Sequence, residues 1–211
     1  MELTNEQIQR VHKYLDVKGV KFIDFRIEIM DHIISQIEKK LESENTDFET
    51  VFYQVTDQWN KQLNNTTSWL FGFAYPAPKI IIKKAKKVFT TYFILSFLPL
   101  FVAFLIVLKS KMMLNEVLGY ITVALTILLL IISSFYTFKI WKSKEKTVYN
   151  FIIKTQLLSF IVMPLIIVSN SIIDFINVGI LGYMIVTTYA IRLFYIKHQQ
   201  EKEKYKSLVT V

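Results

Sequence analysis

The sequence predicts an all-α protein in two parts: an N-terminal three-helix unit suited to the cytosol and a four-helix transmembrane bundle. Three observations lead there. Four apolar stretches, near 88–108, 117–138, 148–168 and 172–195, are each long enough to cross a hydrocarbon core, which takes roughly 20 residues at 1.5 Å rise. The apolar residues of the first 63 positions recur three and four apart, the spacing of one helix face. Charge is divided unequally, with 8 Lys+Arg against 12 Asp+Glu in residues 1–78 and 17 against 5 in residues 79–211.

Residues 1–63 read as three helices. Thr4-Asn5-Glu6-Gln7 fits a capping box, in which the hydroxyl and the amide side chain satisfy free backbone groups reciprocally. Ile8, Val11 and Leu15 then share a face, and Gly19 ends the segment. In the second helix Ile23, Ile27, Met30, Ile34, Ile37 and Leu41 form one stripe, which leaves Asp24, Glu28, Asp31 and Glu38 wet. Thr46-Asp47-Phe48-Glu49 repeats the capping-box pattern, and Phe48, Phe52, Val55, Trp59 and Leu63 carry the third helix.

Residues 64–87 read as a linker and interfacial segment. Asn64 to Ser68 is a polar break. The aromatic run Trp69 to Pro78 suits either a lipid headgroup zone or a loop packed on the helices, and two prolines separate it from the next helix. Lys79, Lys83, Lys84, Lys86 and Lys87 form a basic entry to the first span, with anionic headgroups as the expected contact.

The four spans occupy residues 88–197, followed by a charged tail, 198–211, that extends the last helix or frays. Val117 to Phe138 contains no charged side chain, and its threonines can bond carbonyls of their own helix. Four spans group the lysines and arginines 14 on one side against 2 on the other. The excess marks the cytoplasmic side, so the chain is expected to be a multi-pass integral protein of a bacterial inner membrane with both termini cytoplasmic.

Function is less sharply written. The absence of cysteine excludes disulfides, thiolate metal sites and a cysteine nucleophile. No phosphate-cradling loop, nucleophile elbow or zinc-protease motif is present, so no catalytic residue, cofactor or metal site is predicted. The basic excess is accounted for by topology and lipid, and nucleic acid is not an expected partner. Glu28, Asp31 and His32 are the expected partner-contact cluster; a metal there would have at most three ligands, with His12 the only other histidine in the unit. Lys154, Gln156, Asp174 and Asn177 are the polar residues to watch among the spans, with Arg192 near a cytoplasmic end. Pro99 and Pro164 could kink the first and third spans.

From Glu28-Ile29-Met30-Asp31-His32-Ile33 through Phe48-Glu49-Thr50-Val51-Phe52, the chain resembles the three-helix HAAS-type module of bacterial membrane proteins. The likeness covers residues 3–63. It departs from that pattern at Ser43-Glu44-Asn45-Thr46, where the module has a glycine, and in lacking a Leu-Gly-x-Pro after the third helix. The resemblance implies association with PadR-type repressors or a role in envelope signalling, and it carries no catalytic residues.

The expected function is that of a non-enzymatic membrane regulatory or adaptor protein, with a protein partner for its cytosolic domain and the anionic bilayer as its surroundings. The alternative is a small permease subunit or oligomeric transporter. In that reading Pro99, Pro164, Gln156, Asn170 and Asn177 line a path, and further copies of the chain or an ATPase complete it.

Overall fold

A computed structural model describes residues 2–44, 46–110, 113–157, 159 and 173–209. The fold is all-helical: α1 (Asn5–Val17), α2 (Ile23–Ser43), α3 (Phe48–Leu63), α4 (Lys79–Ser110), α5 (Glu116–Trp141), α6 (Val148–Leu157) and α7 (Ile176–Val209). One short antiparallel pair, β1 (Asn65–Thr66) and β2 (Ala77–Pro78), closes a loop before α4. The chain divides into two compact units. Met1–Ala85, Lys144–Val148 and Gln200–Val211 form the first, and Lys86–Ser143 with Tyr149–Gln199 the second.

In the first unit α1, α2 and α3 share one apolar core. Val11 and Leu15 of α1, Ile29, Ile33 and Ile37 of α2, and Val51, Phe52, Val55 and Leu63 of α3 are buried together. The Thr4 capping box forms as the sequence suggests: the Thr4 hydroxyl accepts the Gln7 amide, and the Gln7 side chain accepts the Thr4 amide at 2.9 Å. Gly19, at φ 68°, supplies the left-handed turn after α1. Arg26 then ties this turn to α2, donating to the Val20 carbonyl at 3.0 Å and pairing with Asp16 at 2.8 Å. Tyr14 donates to the Thr56 carbonyl and to Asn60 Oδ1 of α3, each at 3.0 Å.

Two expectations need correction. The buried stripe of α2 is centred on Ile29, Ile33 and Ile37; of the expected stripe Ile37 is buried, Met30, Ile34 and Leu41 pack half-buried against the same core, and Ile23 and Ile27 are half-buried outside it. The cap of α3 is Asp47 rather than Thr46. One Asp47 oxygen accepts the Thr50 amide at 3.1 Å and the other accepts the Thr50 hydroxyl at 2.7 Å, so a single carboxylate satisfies both groups.

In the second unit, α4 and α5 are 32 and 26 residues long, about 48 and 39 Å. With α7 they are three helices long and apolar enough to cross a membrane. Ile94, Leu98 and Phe101 on α4 and Val117 and Ile131 on α5 are exposed, with no protein core against them. A helix apolar all round in water has no stable place, whereas a bilayer accommodates it. Thr122 and Thr126 donate to the carbonyls of Leu118 and Thr122, four residues back, at 2.7 and 2.8 Å.

Half of the most apolar stretch of α7 is buried, against 11% in α4 and 17% in α5, which makes α7 the packing centre. Gly179 and Gly182 lie against α4 so closely that a methyl group would fall 2.6 Å from Ala103 Cβ or 2.5 Å from Pro99 Cβ. The basic residues Lys79, Lys83, Lys84, Lys86 and Lys87 belong to the first turns of α4 itself, and the charged tail continues α7 to Val209. Of the stretch 148–168, α6 and Ser159 are described; Pro164 and Asn170 lie outside the described residues.

Candidate functional site

The most unusual chemistry of the first unit lies at the start of α2. Phe22 is extended and bridges Lys146 in parallel, and the next amide, Ile23 N–H, donates to the Lys146 carbonyl at 2.9 Å. One residue further on, Asp24 Oδ2 accepts the Val148 amide at 2.9 Å. Val148 is the first residue of α6, so its N–H has no acceptor within its own helix. The positive end of the helix dipole also favours a carboxylate at that place.

This arrangement corrects the expectation that Asp24 is wet. Its Oδ1 is buried without a hydrogen-bond partner among the described residues. Burial pushes the Asp24 carboxyl up to about 6, and nearby Glu201 adds to the rise, while the Val148 amide and Lys84 oppose it. Beside the carboxyl lies a cleft lined by Ile23, Ile27, Glu28, Glu201, Lys204 and Tyr205. It offers ≈ 20 Å³ to water centres, enough for about one molecule. Lys202 pairs with Glu145 at 3.1 Å, a second tie between the end of α7 and the segment before α6.

Of the predicted partner cluster, Glu28, Asp31 and His32 are all exposed, and Glu28 alone reaches the Asp24 cleft. Among the described residues no group of three or more His, Asp or Glu is placed to hold a metal ion. The five lysines at the start of α4, Lys79, Lys83, Lys84, Lys86 and Lys87, are exposed. The aromatic run divides: Phe71 and Ala77 are buried, while Trp69 and Phe73 are 76% and 74% exposed.

The polar residues of the second unit also separate. Lys154 and Arg192 are exposed. Gln156 and Asn177 are buried, and Asn177 N–H donates to the Asp174 carbonyl at 3.0 Å as α7 begins. The helical course of α6 breaks at Gln156, with φ −117° and ψ 17°. Its Oε1 accepts the Ser159 hydroxyl at 2.9 Å, and the Ser159 carbonyl accepts the Tyr183 hydroxyl at 2.8 Å. Sequence reasoning missed Asp24 and Tyr183. The one available signal for Asp24 was a carboxylate set between Ile23 and Phe25 at a helix start.

No protein-family model matches the chain, and neither does any curated protein or solved structure.

Proposed function

We propose that this chain is a non-enzymatic, multi-pass membrane regulatory or adaptor protein with a cytosolic helical interaction domain. The observation that carries the reading is the tie between α2 and the segment after α5. Ile23 and Asp24 hold Lys146 and Val148 through two hydrogen bonds of 2.9 Å. A partner that shifts α2 acts on the segment joining two apolar helices, and the reverse also holds. The exposed Glu28, Asp31 and His32 supply the docking face, and the resemblance to the HAAS-type module points the same way.

Topology is part of the proposal. Residues 1–85, 144–148 and 200–211 belong to one compact unit, which supports α4 and α5 as an outward and a return crossing. Within the second unit, Asn150 Nδ2 donates to the Ile140 carbonyl near the end of α5, while Leu114 N–H, just before its start, donates to the Ile173 carbonyl. In the sequence, the apolar stretch 148–168 is long enough to support a fourth crossing. The lysine distribution puts the first unit, and both termini, in the cytoplasm.

The test is affinity capture of the whole chain from detergent. A specific partner is expected, and Asp31→Asn with His32→Gln should reduce its recovery while membrane insertion persists. No specific partner, together with solute flux in liposomes, replaces this reading with the transporter. One observation favours that alternative: the break in α6 at buried Gln156, because helix breaks in spans commonly serve binding sites.

A further inference from the structure

The loop between β1 and β2 is built with two faces. Phe71 is buried, 1% exposed, while Trp69 and Phe73 stand outward at 76% and 74% and Tyr75 beside them at 47%. The shape is held from within. Phe71 N–H donates to the Ser68 carbonyl and Tyr75 N–H to the Gly72 carbonyl, with Gly72 at φ 84°. Such a loop loses little further freedom when its tip is engaged. Three exposed aromatics in ten residues have no purpose in water.

Charge and continuity say what covers them. Residues 64–87 contain five lysines and no Asp or Glu, so the surroundings of the loop attract anions without internal compensation. β2 runs directly into Lys79, the first residue of α4. The apolar run of α4 begins at Val88, about 13 Å along the helix.

We infer that this loop is a bilayer anchor, with Trp69, Phe73 and Tyr75 seated in the headgroup zone of an anionic membrane and Lys79, Lys83 and Lys84 meeting the phosphates. Aromatic rings with one apolar and one polar environment prefer that zone. The inference rests on the membrane reading above.

The test uses the full chain in liposomes of phosphatidylglycerol, with acyl chains brominated just below the headgroups as the quencher. The chain has three tryptophans, Trp59, Trp69 and Trp141. The difference between wild type and Trp69→Phe isolates Trp69, and the difference from Trp141→Phe isolates the end of α5 as the control. Expected is quenching of Trp69 of about twofold, weakened when Lys79, Lys83 and Lys84 are changed to Gln, with little effect of aqueous iodide. Quenching of Trp141 but not of Trp69, with iodide reaching Trp69, overturns the anchor alone and leaves the loop a protein-docking surface. If neither tryptophan is quenched, the anchor and the membrane reading fall together.

Discussion

Asp24 caps a helix that begins 124 residues later: its Oδ2 accepts the Val148 amide at 2.9 Å, while its Oδ1 is buried with no hydrogen-bond partner among the described residues. The carboxylate thus joins α2 to α6 and bears a burial cost that the Val148 amide, its own backbone amide and Lys84 offset only in part.

That cost has a sign. The folded carboxyl titrates near 6 against an ordinary value of 3.8. Between those values the folded chain binds more protons than the unfolded one, so stability falls as pH rises through that window, and the loss is complete above about pH 6. Asp24→Asn keeps an acceptor for Val148 and removes the charge. It is expected to raise stability at pH 7.5 by about 1–3 kcal/mol and to flatten the slope between pH 4 and 6. Thermal unfolding at a series of pH values checks this, and a midpoint at pH 7.5 that drops on substitution refutes it.

Where α7 meets α4, space is absent. Gly182→Ala places a methyl 2.5 Å from Pro99 Cβ. Overpacking of this kind costs about 1–3 kcal/mol, so the unfolding temperature in detergent should fall, and Gly182→Leu should lower it further. An unchanged midpoint in both variants contradicts the close crossing.

The orientation of α2 is open to a paired substitution. Ile33, 0% exposed, lies in the shared core, and Ile33→Ala should cost about 2–5 kcal/mol. Ile27, half-buried beside the Asp24 cleft, should cost less. Denaturant unfolding of both variants reports the order, and the reverse order returns the stripe to Ile27.

Because the chain has no cysteine, single introduced thiols report topology without background. Glu42→Cys, Lys144→Cys and Glu203→Cys should resist a membrane-impermeant maleimide applied to intact cells. Ser110→Cys should react. Labelling of Lys144→Cys from outside rules out the proposed topology.

Much of the fold was legible wherever one local pattern had one solution. The Thr4 to Gln7 box needs only four adjacent residues, and the apolar runs of α4 and α5 are identified by length and composition alone, each long enough to cross a bilayer as a helix. The α2 stripe was placed off-centre because the helix carries two sets of isoleucines. Ile29, Ile33 and Ile37 enter the shared core, while Ile23 and Ile27 line the cleft beside Glu201 and Tyr205. A helix packed on two sides shows a broad apolar arc, and hydrophobicity alone does not choose its centre. Asp47 displaced Thr46 as the α3 cap because two capping side chains were adjacent, and Thr50 rewards the carboxylate twice. Asp24 was illegible for a different reason: everything that distinguishes it comes from residues far away in sequence.

The sequence distance between Asp24 and Val148 also sets a clock. At about 5–20 residues per second, a ribosome needs about 6–25 s to make the intervening chain. During that interval every buried residue of the core shared by α1, α2 and α3 is synthesised, whereas the Val148 amide that Asp24 accepts is not yet made. The last turns of α7, with Glu201 and Tyr205, emerge later again. The contacts that bury Asp24 are therefore the last of the first unit to become available, seconds after its helical core.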